Sequence, residues 1–197
     1  MIVAIDGPAG AGKSSVARAL AKRIGFSYLD SGAMYRCVAL ASIEDPSHTA
    51  AELAAALAIR LGDRITLDGR DVTTAIRSPE VSARASEVAA DADVRAALVA
   101  TQRELLATGD WVAEGRDIGT VVAPHADLKV FLTADPAERA KRRAEESAAA
   151  IAERDRRDGT RALSPLRPAA DARVIDTTDM SLEQVVDRVA ELAHPVH

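Results

Sequence analysis

The sequence predicts an α/β protein, a three-layer α/β/α sandwich on a five-stranded parallel sheet, with a small insertion and a lid. Three observations carry this prediction. Short apolar runs at 2–5, 26–29, 111–113, 128–132 and 172–176 are bounded by polar or turn residues, as buried strands are. Longer segments with apolar residues at helical spacing lie between most of them. A glycine-rich loop follows the first run directly and opens a helix. Parallel strands joined by right-handed crossovers place all their carboxyl ends on one rim.

The loop is GPAGAGKSS, residues 7–15, and it fits Gly-x-x-x-x-Gly-Lys-Ser in full. Its glycines, Gly7, Gly10 and Gly12, let the backbone curl around Pro8, Ala9 and Ala11 so that successive amides point inward, and the helix starting near Lys13 adds its positive end. Such a cradle suits a triphosphate. Lys13 would reach the β- and γ-phosphates, and the Ser14 hydroxyl would ligate the bridging magnesium; Ser15 is less constrained. Val16, Ala17, Leu20, Ala21 and Ile24 then recur at helical spacing until Gly25.

The run at 26–29 delivers Asp30, Ser31 and Gly32 to the ligand-binding rim of the sheet. AMYRCVALASI and AELAAALAIRL read as helices separated by the turn Asp45-Pro46-Ser47. RITLDGRDVT alternates around Asp68-Gly69, the signature of a tight antiparallel hairpin inserted into a parallel plan. Ser78-Pro79 reads as a cap and first helical residue, opening helical sequence to about Ala90 and again from Asp93 to about Ala107. Residues 60–100 are therefore expected to form an accessory lobe.

Strand and helix then alternate again. The run at 111–113 ends in Glu114-Gly115-Arg116-Asp117, and Asp135 caps a highly charged helix with Glu138 at its third position. That helix runs toward RDRRDGTRALSP, where Gly159 reads as its end. Ser181-x-x-Gln184 caps a last amphipathic helix through Leu192.

At 197 residues the chain has room for one substantial core. Its net charge of −5 argues against a broad nucleic-acid footprint, no run approaches membrane-spanning length, and a first strand at Ile2 leaves no room for a leader, so a cytoplasmic protein is expected. Cys37 is the only cysteine, which excludes internal disulfides and thiolate clusters, and its apolar helical neighbours make it a core residue. His48, His125, His194 and His197 show no ligand spacing. The lack of any asparagine is read as coding bias, and it removes the Asn-Lys-x-Asp guanine readout of a GTP-binding switch protein, the non-enzyme alternative.

Arginines need individual reading, since most exposed ones are solvated charges. Arg116 follows a central strand's end beside the loop, where a guanidinium can fork onto phosphate oxygens. The segment 153–161 has the composition of a mobile lid that brings cations to phosphates and expels water. Glu114 ends the strand suited to a magnesium-side acid acting through water, and Asp30 and Asp117 are rim acids suited to accepting hydrogen bonds from a substrate.

Taken together, DGPAGAGKSS, LDSGAMYR, DVTTAIRSPEVS, VAEGRDIGTVV, VFLTAD, RDRRDGTRALSP and ADARVIDTTDM resemble the bacterial cytidylate kinases, P-loop enzymes of the nucleoside monophosphate kinase type. The resemblance runs from end to end and implies one P-loop kinase domain over 1–197, a monophosphate-binding insertion at 60–100 and a lid at 136–162. It implies transfer of the ATP γ-phosphoryl group to CMP or dCMP with Mg2+, by a monomer that binds neither nucleic acid nor membrane. Ser31, Arg36, Arg116 and Arg161 match residues around the CMP phosphate and the transferring group; Ser86, Arg95 and Asp117 match readers of the cytosine edge. Arg154 and Asp158 match lid residues near the sugar and phosphates, Arg77 lines the acceptor site, and Arg157 joins Lys13, Arg116 and Arg161 among the catalytic cations. The segment from about Arg142 to Glu153 is shorter than in longer relatives of that family. A P-loop kinase for UMP, AMP or a small metabolite is the alternative enzyme.

Overall fold

The computed structural model describes the backbone of residues 1–143, 148–161 and 164–193; the side chains of Ala148, Ala150 and Arg154 also fall outside the described residues. In chain order the elements are β1 (Ile2–Asp6), α1 (Lys13–Ile24), β2 (Ser27–Asp30), α2 (Ser31–Glu44), α3 (Ala50–Ala56), β3 (Ile59–Arg60), β4 (Thr66–Leu67), β5 (Arg70–Asp71), α4 (Pro79–Val88), α5 (Ala92–Leu106), β6 (Trp111–Gly115), β7 (Leu128–Thr133), α6 (Pro136–Arg142), α7 (Ala148–Thr160), β8 (Arg173–Asp176) and α8 (Leu182–Ala193). A 3-10 turn lies at Ala75–Arg77 and a π-helical turn at Ile118–Val122. The chain divides into two compact units, residues 1–29 with 106–197, and residues 30–105.

The first unit holds the predicted five-stranded parallel sheet, in the order β2-β6-β1-β7-β8. Central β1 aligns Ile5 with Glu114 of β6 on one side and with Val130 of β7 on the other. Val3, Ile5, Val112 and Leu132 are fully buried, as a strand covered on both faces requires. The periodic face of α1 (Val16, Ala17, Leu20, Ala21) and that of α8 (Val185, Val186, Val189, Ala190) meet over these strands in one core. Each large side chain buried there contributes roughly 1.5–3 kcal/mol. Gly25 closes α1 in the left-handed region with φ 74°, and Ser181 and Gln184 form the predicted capping box of α8.

The second unit packs α2, α3 and α4 around Cys37, Leu40, Leu67, Ile76 and Val88. Burial pushes the Cys37 thiol up to about 11, in keeping with a core residue. Ser78 caps α4 by accepting from Val81 N–H at 3.2 Å, with Pro79 in the first turn. The hairpin turns at Asp68 (φ 49°) and Gly69 (φ 82°), as the dipeptide predicts.

Three expectations need correction. The helix read over 51–61 stops at Ala56, and Ile59 instead pairs with Leu67, giving a third antiparallel strand. The cause is tertiary: Asp68 accepts the Ala58 N–H at 2.9 Å and returns its own N–H to Ala58 O at 3.0 Å, while Ile59 packs against the second core. The charged helix after Asp135 closes at Arg142, where that side chain donates to Thr177 O at 2.7 Å and Thr177 Oγ1 at 2.9 Å. Gly159 does not end α7, which continues to Thr160.

Candidate active site

The loop between β1 and α1 is held in shape by its neighbours. Gly7 has φ 149°, and a Cβ there would lie 2.1 Å from Leu132 O, so only glycine fits. Gly12 opens α1 at φ 88°, with nothing within 4 Å of where a Cβ would stand. Ala9 is gripped at both polar atoms: its N–H reaches Asp155 Oδ1 at 3.3 Å and its carbonyl accepts from Arg139 Nη1 at 3.0 Å. Arg139 and Asp155 also pair with each other.

Lys13 is buried and folds back to donate to Pro8 O at 2.7 Å. Burial first, and then the neighbouring Arg116 guanidinium, lower its pKa from 10.5 to about 7, against the opposing pull of Glu114, Asp6 and Asp158. The Ser14 and Ser15 side chains are exposed beside it.

The carboxyl end of β6 supplies the next group. Glu114 is buried and accepts from Tyr28 Oη of β2 at 2.6 Å, while the Arg18 guanidinium lies 4.9 Å over the Tyr28 ring. Arg116 donates through Nη1 to Gly7 O at 3.0 Å and through Nε to Asp158 Oδ2 at 2.7 Å. Arg161 bonds the other oxygen of Asp158. Burial works against the Arg116 charge, but Asp158 overrides it and holds the guanidinium above its ordinary pKa. Asp117, also buried, precedes the π-helical turn.

The first unit thus brings together Lys13, Glu114, Arg116, Asp158 and Arg161 around the loop. Arg157 does not join them; it bonds Glu153 at 3.0 Å on the surface of α7. The side chain of Arg154, with residues 144–147 and 162–163 of the expected lid and with His194 and His197, lies outside the described residues.

In the second unit Asp30 caps α2, accepting from Ala33 N–H at 2.8 Å and from Arg36 Nη2 at 3.0 Å. Ser31 is buried at the first position of α2, and Arg77 is exposed on the 3-10 turn. Arg95 sits buried on α5, its guanidinium 5.7 Å over the Tyr35 ring and Nη1 at 3.4 Å from Ala89 O. Three buried polar atoms of this unit, Ser86 Oγ, Arg36 Nε and Gln102 Nε2, have no partner among the described residues. A buried donor left unmatched costs about 1–3 kcal/mol, a cost that a polar ligand would remove.

Sequence reasoning missed Asp6, Tyr28, Arg139 and Asp155. Asp6 accepts from the Ile118 and Gly119 amides at 2.8 and 2.7 Å. None of the four carries a local signal, because each acts on residues distant in the chain. Among the described residues no cluster of three or more His, Cys, Asp or Glu could hold a metal ion by itself. The exposed Ser14 hydroxyl and the Glu114 carboxylate are the hard oxygen donors that suit magnesium shared with phosphate.

Comparison with known proteins gives the same answer as the loop and its arginines. The cytidylate kinase family model matches residues 3–195. Cytidylate kinase of Pelotomaculum thermopropionicum is 50% identical over 210 residues, covering 95% of this chain and 93% of that one. That of Exiguobacterium sibiricum is 47% identical over 213 residues, covering 97% and 96%. Among solved structures, shikimate kinase from Acinetobacter baumannii in complex with shikimate superposes with TM-score 0.53 at 15% identity, covering 98% of this chain and 92% of that one. At such identity the likeness shows the fold alone. A match over nearly the whole chain, at about half identity, on a fold with this loop and these arginines, places the chain in the cytidylate kinase family.

Proposed function

We infer that this chain transfers the γ-phosphoryl group of ATP to a phosphate oxygen of CMP or dCMP, giving ADP and CDP or dCDP. The observation that carries this is the bond from Arg116 Nη1 to Gly7 O, which fixes a half-buried guanidinium against the triphosphate loop itself. The attacking phosphate oxygen is already anionic, so no general base is needed; alignment and charge neutralisation supply the rate.

In this reading the backbone N–H groups of Gly7 and of residues 9–15 cradle the ATP phosphates, and Lys13 swings from Pro8 O to the β- and γ-oxygens. Arg116 and Arg161 exchange Asp158 for the transferring group. Ser31 and Arg36 hold the CMP phosphate, Arg77 lines the same site, and Ser86, Arg95 and Asp117 read the cytosine edge. Arg154 and Asp158 are assigned to the sugar and phosphates, with Arg157 a further cation of α7. Ser14 would hold Mg2+, with Glu114 placed to reach it through water. When bound, that ion would supply positive charge to neutralise the phosphates.

We assign the acceptor lobe to residues 60–100 within the second unit and the lid to 136–162. A monomer acting in the cytoplasm, without nucleic acid or membrane, completes the proposal. Among the described residues no helix is long and apolar enough to cross a membrane.

A coupled ADP-release assay with ATP and magnesium across CMP, dCMP, UMP and AMP tests this reading. CMP and dCMP should be the preferred acceptors. Turnover with none of the four would overturn the function, and equal kcat/KM for CMP and UMP would overturn the base-reading set.

A further inference from the structure

Asp6 ends β1 one residue before the glycine loop and is 5% exposed. Its two oxygens each take one of two successive amides, Ile118 N–H on Oδ1 at 2.8 Å and Gly119 N–H on Oδ2 at 2.7 Å. Those amides open the π-helical turn that begins immediately after Arg116 and Asp117. The next residue of β1's end, Gly7, takes Arg116 through its carbonyl. Two consecutive residues at the end of β1 therefore hold Arg116, Ile118 and Gly119, on either side of Asp117.

The seat is closed from behind as well. A Cβ at Gly119 would come within 3.2 Å of Lys129 Cδ and 3.4 Å of Asp6 Oδ2, so the turn is wedged between the two side chains. Lys129 is itself anchored by Pro124 O at 2.6 Å and by both oxygens of Asp171 at 2.9 Å. Burying a carboxylate is costly unless it is well bonded, and a small polar or apolar residue would fill the space without that cost. Burial pushes the Asp6 carboxyl up to about 6, the Gly119 and Ile118 amides and Lys13 act against that, and Asp117 adds to it.

We propose that Asp6 is a positioning residue: by fixing the Ile118 and Gly119 amides it sets where Arg116 and Asp117 stand, and through Asp117 the preference for CMP over UMP. The proposal rests on the assignment of Arg116 and Asp117 to the acceptor given above. A displacement of about 1 Å at such a site costs on the order of a hundredfold in rate.

Asp6→Asn keeps the size but turns an amide NH2 toward a backbone N–H. The variant is assayed for kcat/KM with CMP and with UMP at saturating ATP, for ATP affinity by titration, and for thermal stability, with Asp117→Asn alongside. The CMP-to-UMP ratio should fall about tenfold or more and the CMP KM should rise, while ATP affinity changes less than about threefold. An unchanged ratio, or losses shared equally by CMP, UMP and ATP, overturns the proposal and leaves Asp6 a purely structural bond.

Gly119→Ala presses on the same pair from the other side and carries the test if Asp6→Asn does not fold; a folded Gly119→Ala with the wild-type ratio and CMP KM likewise overturns it. If Asp117→Asn leaves the ratio intact, the base-reading assignment is what fails. The CMP KM of Asp6→Asn then decides the proposal through Arg116, and an unchanged KM ends it.

Discussion

Arg116 donates through Nε to Asp158 at 2.7 Å, and the same carboxylate also binds Arg161. A side chain only 3% exposed thus holds both guanidinium groups assigned to the phosphates. In this arrangement the acid supplies both cations with an anionic partner, and the proposed mechanism requires nucleotide binding to exchange it for phosphate.

Replacing Arg116 separates chemistry from folding. Arg116→Ala should lower kcat by about 10²–10³, the loss expected when one preorganised donor to a developing charge is removed. Asp158 keeps Arg161 as a partner, so the stability cost should stay near 1–2 kcal/mol. ADP-release kinetics and urea unfolding read the two quantities, and wild-type turnover would remove Arg116 from the mechanism.

With Lys13 assigned to the ATP phosphates, nucleotide binding should be proton-linked. Its pKa in the empty protein is lowered to about 7 from 10.5, so between those values the folded chain binds fewer protons than the unfolded one. The stability of the empty protein should therefore rise with pH across that window. Phosphate oxygens restore the charged form, so ATP binding at pH 8 should take up as much as about one proton and weaken as pH rises further. Calorimetry in buffers of different ionisation enthalpy measures the uptake; none at pH 8 would contradict the lowered value.

Two glycines of the loop should fail for different reasons. Gly7→Ala drives a Cβ into Leu132 O and should prevent accumulation of folded protein. Gly12→Ala meets open space and incurs only the left-handed backbone strain, about 1–2 kcal/mol, yet it places a methyl group at the N-cap of α1, inside the loop. Expression and thermal melting, followed by ATP titration of the Gly12 variant, distinguish the two. A stable, ATP-binding Gly7→Ala protein would contradict the close approach.

Removing the Tyr28 hydroxyl should show in the metal requirement. Tyr28→Phe leaves the ring under Arg18 but takes the donor from Glu114. The magnesium concentration for half-maximal activity should rise several-fold, with CMP KM little changed. An unaltered magnesium dependence would separate Glu114 from the metal.

Features whose cause is local could be read directly from residue order. The full loop pattern, the Ser78-Pro79 start, the Asp68-Gly69 turn and the Ser181 to Gln184 box each involve residues within a few positions, where propensity and capping decide. The helix over 51–61 failed as an expectation because Asp68, ten residues on, pulls Ala58 out of it. Tyr28 and Glu114, Arg139 and Ala9, and Asp6 and Gly119 are pairs made by the sheet order, and no spacing announces them.

The central position of β1 also bears on synthesis. Its partners begin at Trp111 and Leu128, so this strand is made long before it is satisfied. At about 5–20 residues per second, a nascent Ile2–Asp6 waits on the order of 5–20 seconds for its first neighbour. The unit from Asp30 to Leu105 is contiguous and can close within that interval. The strand that carries the phosphate loop is therefore a segment with long exposure to chaperones or to misassembly while the chain leaves the ribosome.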